Sequence, residues 1–247
     1  MSVFVFSDTH FTKKFDEKRY NKLVELITKA DKVIIDGDLW EGLSISFDDF
    51  YNSEWRKLFP LLKSKNTIYV YGNHDAKELN DNRIYEFCDI AVNSYTHQTP
   101  RQTFHFTHGS SFLYPYEKEE NLDWKRARSF RKKADVFVAN IIQKFIYTLF
   151  TSDALPKKFN NMTKAQRESI APIDHLLVCG HSHTPAYNKD LNFMDLGFFN
   201  YGWANYLWIK DDGKYEFKKE RFGKSSINLS PKLINWLFLH TKTTLPE

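Results

Sequence analysis

Cysteine is scarce in this chain: only Cys88 and Cys179 occur among 247 residues, and their placement shows no pairing pattern. Such usage excludes a disulfide framework and points to a reducing compartment. Cys179, at the end of an apolar run, reads as an inert core thiol. No uncharged apolar run approaches the ~18 residues that a membrane span requires. The first residues run straight into Val3-Phe4-Val5-Phe6, without the basic lead, long apolar segment or small-residue cleavage site of a secretory signal. The expected address is cytoplasmic. Internal repeats and low-complexity linkers are also absent, so the length fits one large α/β domain, residues 1–247, with room for a modest insertion.

Hydrophobic residues make up 42% and charged residues 27%, which is the ordinary balance of a globular domain. The net charge of +4 conceals an asymmetry: Trp124 to Arg167 holds eleven basic and two acidic residues, so the rest of the chain is mildly acidic. A basic segment on an acidic body says more about partners than the total does.

Three apolar runs in the first third end in polar clusters. Val3–Phe6 leads into Ser7-Asp8-Thr9-His10, Lys32–Ile35 into Asp36-Gly37-Asp38, and Thr67–Val70 into Tyr71-Gly72-Asn73-His74-Asp75. Helical periodicity separates them, over Lys18–Lys29 and roughly Asp48–Lys63. Buried strands alternating with helices predict βαβ units, whose sites gather at the carboxyl ends of the strands. Gln102–Phe106 reads as a strand entering Thr107-His108-Gly109, and His175–Cys179 as one entering Gly180-His181-Ser182-His183. Asn192–Leu196, Ala204–Ile209 and Lys214–Phe222 follow, with an Asp211-Asp212-Gly213 turn, and read as a β-meander. Ser230-Pro231 opens a last short helix.

Singly, a strand-end aspartate or histidine is most often a turn, a cap or a satisfied core group. Together, five strand ends deliver Asp8 and His10, Asp38, Asn73 and His74, His108, and His181 with His183, so that five of the nine histidines stand there. Carboxylates, one amide oxygen and several imidazoles suit manganese, iron or zinc better than magnesium or calcium, which prefer oxygen-only shells. Asp75 reads as an orienting partner of His74 or a helix cap. Glu41 reads as a solvated loop residue or a support for Asp38.

The ordered series D-x-H, G-D, G-N-H-D, H-G and G-H-x-H, spanning Ser7 to Thr184, resembles the calcineurin-like metallophosphoesterase superfamily. That resemblance implies a four-layer α/β/β/α sandwich and a hydrolase with two divalent cations, manganese first, with iron or zinc as alternatives. It implies that Asp8, His10 and His183 hold one cation, that Asn73, His108 and His181 hold the other, and that Asp38 bridges them. His74 then acts as the catalytic histidine. Cations about 4 Å apart repel strongly, so a shared carboxylate is physically required.

Between His108 and His181 the chain carries an expected helical cap insertion at about residues 112–172. It includes the basic run around Lys125, Arg128 and Arg131 and the apolar helix candidate Val136–Phe150. Those three basic residues are the expected substrate contacts, presented to a polyanion. The layout, with Gly37-Asp38-Leu39-Trp40-Glu41 and Asp195-Leu196-Gly197, is similar to the UDP-2,3-diacylglucosamine pyrophosphatase branch, although position 74 keeps the histidine of general phosphodiesterases. The expected substrate is therefore a phosphodiester or pyrophosphate of nucleotide or lipid-linked type. A nuclease, a phosphomonoesterase or protein phosphatase, and a non-catalytic interaction module on the same sandwich are the alternatives. The apolar stretch also suits a peripheral contact with the inner membrane surface or a homodimer contact.

Overall fold

The first strand sets the logic of the architecture. In β1 (Ser2–Phe6) the side chains alternate, sending Phe4 and Phe6 into one apolar cluster and Val3 and Val5 into another. A strand buried on both faces must be covered by a layer on each side. On one side lie helices; on the other lies a second sheet. The structure, a computed structural model, describes residues 1–113 and 163–223. Lys125, Arg128, Arg131, the Val136–Phe150 helix candidate and the closing segment at Ser230-Pro231 lie outside the described residues.

The first sheet joins β1 to β2 (Lys32–Asp36), β3 (Ile68–Val70) and β4 (Ile90–Val92), all parallel. On its other edge β1 runs antiparallel to β11 (Trp203–Lys210), which also pairs with β10 (Phe199–Asn200) and β12 (Tyr215–Arg221). The second sheet has the order β5 (Tyr95–Gln98), β6 (Thr103–Phe106), β7 (Leu176–Cys179), β9 (Phe193–Asp195), β8 (Ala186–Asn188). Here β6, β7 and β9 are parallel neighbours. Between the sheets, Val3, Val5, Ile34 and Val70 meet Phe104, Phe106, Val178 and Met194. Burying each such side chain contributes about 1.5–3 kcal/mol.

The outer face of the first sheet is covered by α1 (Glu17–Lys29), α2 (Phe47–Tyr51) and α3 (Phe59–Lys63). Asp16 caps α1 by accepting from the Arg19 amide at 3.1 Å, and the helix buries Arg19, Leu23, Leu26 and Ile27 as one stripe. The single helix expected over Asp48–Lys63 is broken instead. Asn52 ends α2, Ser53 starts a 3₁₀ turn over Glu54–Leu58 by accepting from the Trp55 amide, and Pro60 opens α3. The second sheet carries α4 (Ser110–Leu113) and α5 (Lys164–Ile170), with Phe112 and Ile170 packed on Leu177, Cys179 and Phe193. The order helix, sheet, sheet, helix is the expected sandwich.

The C-terminal strands depart from the expected meander. β11 and β12 form a hairpin around Asp211-Asp212-Gly213, but β9 belongs to the other sheet, parallel to β7. Alternation identifies a strand without choosing its sheet.

Arg167, the last residue of the basic stretch, is not a solvated charge. It is fully buried in α5, and its guanidinium donates to the carbonyls of Leu191 (3.0 Å), Ala171 (2.8 Å), Pro172 (3.3 Å), Asn192 (3.4 Å) and His175. It ties α5 to the approaches of β7 and β9. Arg167→Leu removes the shared donor from these carbonyls, although main-chain amides still serve Pro172 and Asn192, and the expected loss is about 2–4 kcal/mol, read as a lower denaturant midpoint with an unchanged slope.

Candidate metal centre

Every strand that carries a nominated residue delivers it at the same edge. Asp8 and His10 follow β1, Asp38 follows β2, Asn73 and His74 follow β3, His108 follows β6, and His181 and His183 follow β7. The turns are held in an uncommon backbone state. Asp8, His10, Asp38, His181 and His183 all have positive φ, at 52°, 45°, 53°, 66° and 54°. Residues with a Cβ avoid this region unless their surroundings enforce it. Main-chain bonds do so: the amides of Asp8, His10 and Phe11 donate to the carbonyls of Gly37 (3.1 Å), Asp38 (3.0 Å) and Leu39 (2.9 Å). The loops after β1 and β2 are thereby stitched together. The approach is so close that a Cβ at Gly180 would collide with the Asp8 carboxylate, and one at Gly72 with that of Asp38.

The side chains form two adjoining groups. In the first, His183 Nε2 lies 3.1 Å from Asp8 Oδ1 and 3.0 Å from His10 Nε2. In the second, His108 Nε2 lies 3.1 Å from Asn73 Oδ1 and His181 Nδ1 2.9 Å from it. Asp38 stands between them, its Oδ2 being 3.1 Å from His108 Nε2 and 3.6 Å from His10 Nε2. Within Asp8–His10–His183, and again within Asp38–His108–His181, the donor atoms all lie within 4.8 Å of one another. Either set can hold a metal ion.

The outward nitrogens fix which atoms face inward. His10 Nδ1 donates to Glu41 Oε2 at 3.0 Å, and His108 Nδ1 to the Asp36 carbonyl at 3.0 Å. Each leaves Nε2 facing the cluster, where loss of its proton frees the lone pair that cation ligation requires. The donor chemistry thus fits divalent transition ions: hard carboxylates, an amide oxygen and correctly presented imidazoles.

Electrostatics reflects this crowding. Burial pushes the Asp38 carboxyl up, but His108 and His74 outweigh it and hold the group well below the usual range. Asp8 is likewise held low against burial, by His108, His10 and His183. Burial pulls His108 down, yet Asp38 and Asp8 raise it to about 10, whereas burial and His108 push His181 down to about 3. A cation entering this group competes with a proton on His108, so its affinity rises with pH.

His74 lies beside the two groups. Its amide donates to Asp38 Oδ1 at 2.8 Å, its Nδ1 to Glu41 Oε1 at 2.7 Å, and its Nε2 stands 4.0 Å from Asp38 Oδ2. Glu41 is therefore no solvated loop residue: it is 1% exposed and divides its carboxylate between His10 and His74. Its position three residues after Asp38 was the available signal. Asp75 also departs from both expectations. Its carboxylate accepts from the amides of Gly72 (2.7 Å), Asp38 (3.2 Å) and Leu39 (2.5 Å), so it shapes the Asp38 turn and neither caps a helix nor touches His74.

A two-sheet sandwich with clustered imidazoles and carboxylates at its strand ends defines a metallohydrolase class of site. The sequence matches the calcineurin-like phosphoesterase family over residues 1–224, and the chain belongs to that family: it is a metal-dependent phosphoesterase. A comparison with curated proteins finds no match. Among solved structures, the chain is similar to Yfce, a phosphoesterase from E. coli, at 16% identity and a TM-score of 0.45, covering 90% of this chain and 100% of the other. An archaeal phosphodiesterase gives 15% identity and 0.42, over 89% and 100%. Vps29 from Entamoeba histolytica complexed with zinc gives 13% and 0.43, over 90% and 100%. Among the described residues no helix is long and apolar enough to cross a membrane.

Proposed function

We propose that this chain, as one phosphoesterase domain with an insertion at about 112–172, hydrolyses a phosphodiester or pyrophosphate bond at a dinuclear centre. Asp8, His10 and His183 hold one divalent cation, Asn73, His108 and His181 hold the second, and Asp38 serves both. The observation that carries this reading is the place of Asp38 Oδ2, within 3.6 Å of an imidazole from each group. Divalent cations, manganese foremost, supply Lewis acidity toward the phosphoryl oxygens and toward water when bound there.

The chain's own residues supply the rest. The stitched turns hold the donors at fixed separations and present two inward imidazole nitrogens. His74 is the proposed catalytic residue. Glu41 fixes its ring through Nδ1 and favours the protonated form, as does Asp38, against the pull of burial. Nε2–H then faces the reacting phosphoryl group and donates to its oxygen or to the departing one. Selectivity for a nucleotide-type or lipid-linked substrate, with UDP-2,3-diacylglucosamine as leading example, is assigned to the insertion and to Lys125, Arg128 and Arg131 on their charge.

With Mn²⁺ the protein is expected to hydrolyse an activated aryl phosphodiester, and EDTA to abolish this. Undiminished turnover in excess chelator after exhaustive dialysis rules the reading out. A panel of nucleotide sugars, acylated and not, beside short nucleic acids then tests the substrate class.

A further inference from the structure

One cation of the protein is built into a place where the helix pattern calls for an apolar residue. Arg19 lies on the buried stripe of α1 with Leu23, Leu26 and Ile27, and is 4% exposed. A buried charge is costly unless it is paired. Its Nη1 donates to the Thr9 carbonyl at 2.6 Å, and among the described residues no carboxylate hydrogen-bonds the guanidinium. Its Nε is buried without a hydrogen-bond partner. The guanidinium instead packs on two aromatic faces, 5.0 Å from the Phe11 centroid and 4.7 Å from that of Trp55. Those rings stack on each other at 3.8 Å, and Trp55 is pinned by its Nε1 donating to the Thr12 carbonyl at 3.0 Å. The arginine is thus locked at both ends.

What it grips is the peptide between two cation-holding residues. Thr9 separates Asp8 and His10, both with left-handed backbone, and its carbonyl also accepts from Asn200 Nδ2 at 3.3 Å. The Thr9 hydroxyl is bound to the Leu39 carbonyl at 2.6 Å, so the peptide has little freedom. A short charge-assisted bond aimed at one carbonyl resists the peptide flip by which such a turn relaxes.

We propose that Arg19 is a positioning residue of the centre, holding the Asp8-Thr9-His10 turn so that Asp8 and His10 face one cation together. This rests on the dinuclear reading given above. The role differs from that of a core cation kept for stability, because Arg19→Met removes a costly buried charge while Asn200 Nδ2 still donates to the Thr9 carbonyl. Its hydrogen bond reaches the turn of the Asp8–His10 group, so Arg19 acts on one cation and not on both.

The test measures Mn²⁺ affinity and stoichiometry by calorimetry in the full chain, in wild type, Arg19→Met, His183→Ala and the double variant. Wild type is expected to bind two cations; if it does not, the dinuclear reading itself fails and Arg19 is not the cause. Arg19→Met is expected to keep the wild-type melting temperature without metal, to retain one cation at wild-type affinity, and to weaken the other about 10–100-fold, as loss of a ligand-orienting group does. His183→Ala disables the Asp8–His10 group, and adding Arg19→Met to it is expected to leave the remaining cation unchanged. Wild-type affinity for both cations in Arg19→Met overturns the proposal, as does equal weakening of both. Should Arg19→Met fail to fold, Arg19→Lys, which keeps the charge but loses the planar fork, is read in the same way, with the same two overturning results.

Discussion

Asp38→Ala is expected to lose both cations and to lower turnover at least ~10³-fold, whereas His74→Ala keeps both and loses ~10²-fold or more. The difference follows from geometry. Asp38 Oδ2 stands 3.6 Å from His10 Nε2 and 3.1 Å from His108 Nε2, and its other oxygen receives the His74 amide at 2.8 Å. Without it the two groups have no common anion, and two cations brought close repel each other with nothing between them to offset it. The His74 ring belongs to neither of these two triads; its Nε2 stands 4.0 Å from Asp38 Oδ2. Metal analysis of both variants beside aryl-diester kinetics decides the matter. The reversed pattern, with metal lost in His74→Ala and kept in Asp38→Ala, overturns the assignment.

Glu41→Gln is expected to damage metal affinity and turnover together, about 10-fold or more in each. The carboxylate accepts one N–H from His10 at 3.0 Å and another from His74 at 2.7 Å. An amide has one accepting oxygen, so one imidazole must meet an NH₂ group. If His10 turns its tautomer, its Nε2 carries hydrogen where a lone pair is needed; if His74 does, its ring loses the anion that favours its charged form. Calorimetry with Mn²⁺ and kcat on the loaded enzyme separate the two losses. Wild-type values in both would show that the shared carboxylate has no functional part.

The centre was legible because its chemistry is concentrated in short motifs at strand ends, and parallel strands deliver their C-terminal residues to one edge. The seven residues nominated for metal, from Asp8 to His183, stand in those motifs, and the structure brings them together. Glu41 is less legible, since one acidic residue beside Trp40 resembles ordinary surface until its burial is known. Arg19 leaves a clearer trace in the sequence, a cation on the apolar stripe of the helix. The break at Asn52-Ser53 was hidden because apolar spacing continues through it: Phe50, Trp55, Leu58 and Phe59 share one cluster. β4 and β5 escaped notice because they are short and half-exposed. The sheet taken by β9 depends on distant partners that local alternation does not encode.

The five left-handed turn residues carry a final consequence. Each costs on the order of 1 kcal/mol relative to a relaxed backbone, and the chain accepts that cost during folding, through core packing and the bonds between the loops after β1 and β2. Capture of a cation therefore finds its donors already oriented and has little conformational freedom left to remove, which favours tight binding by preorganisation. A protein made this way meets its metal as a finished mould meets its casting, the shape being settled before the charge arrives.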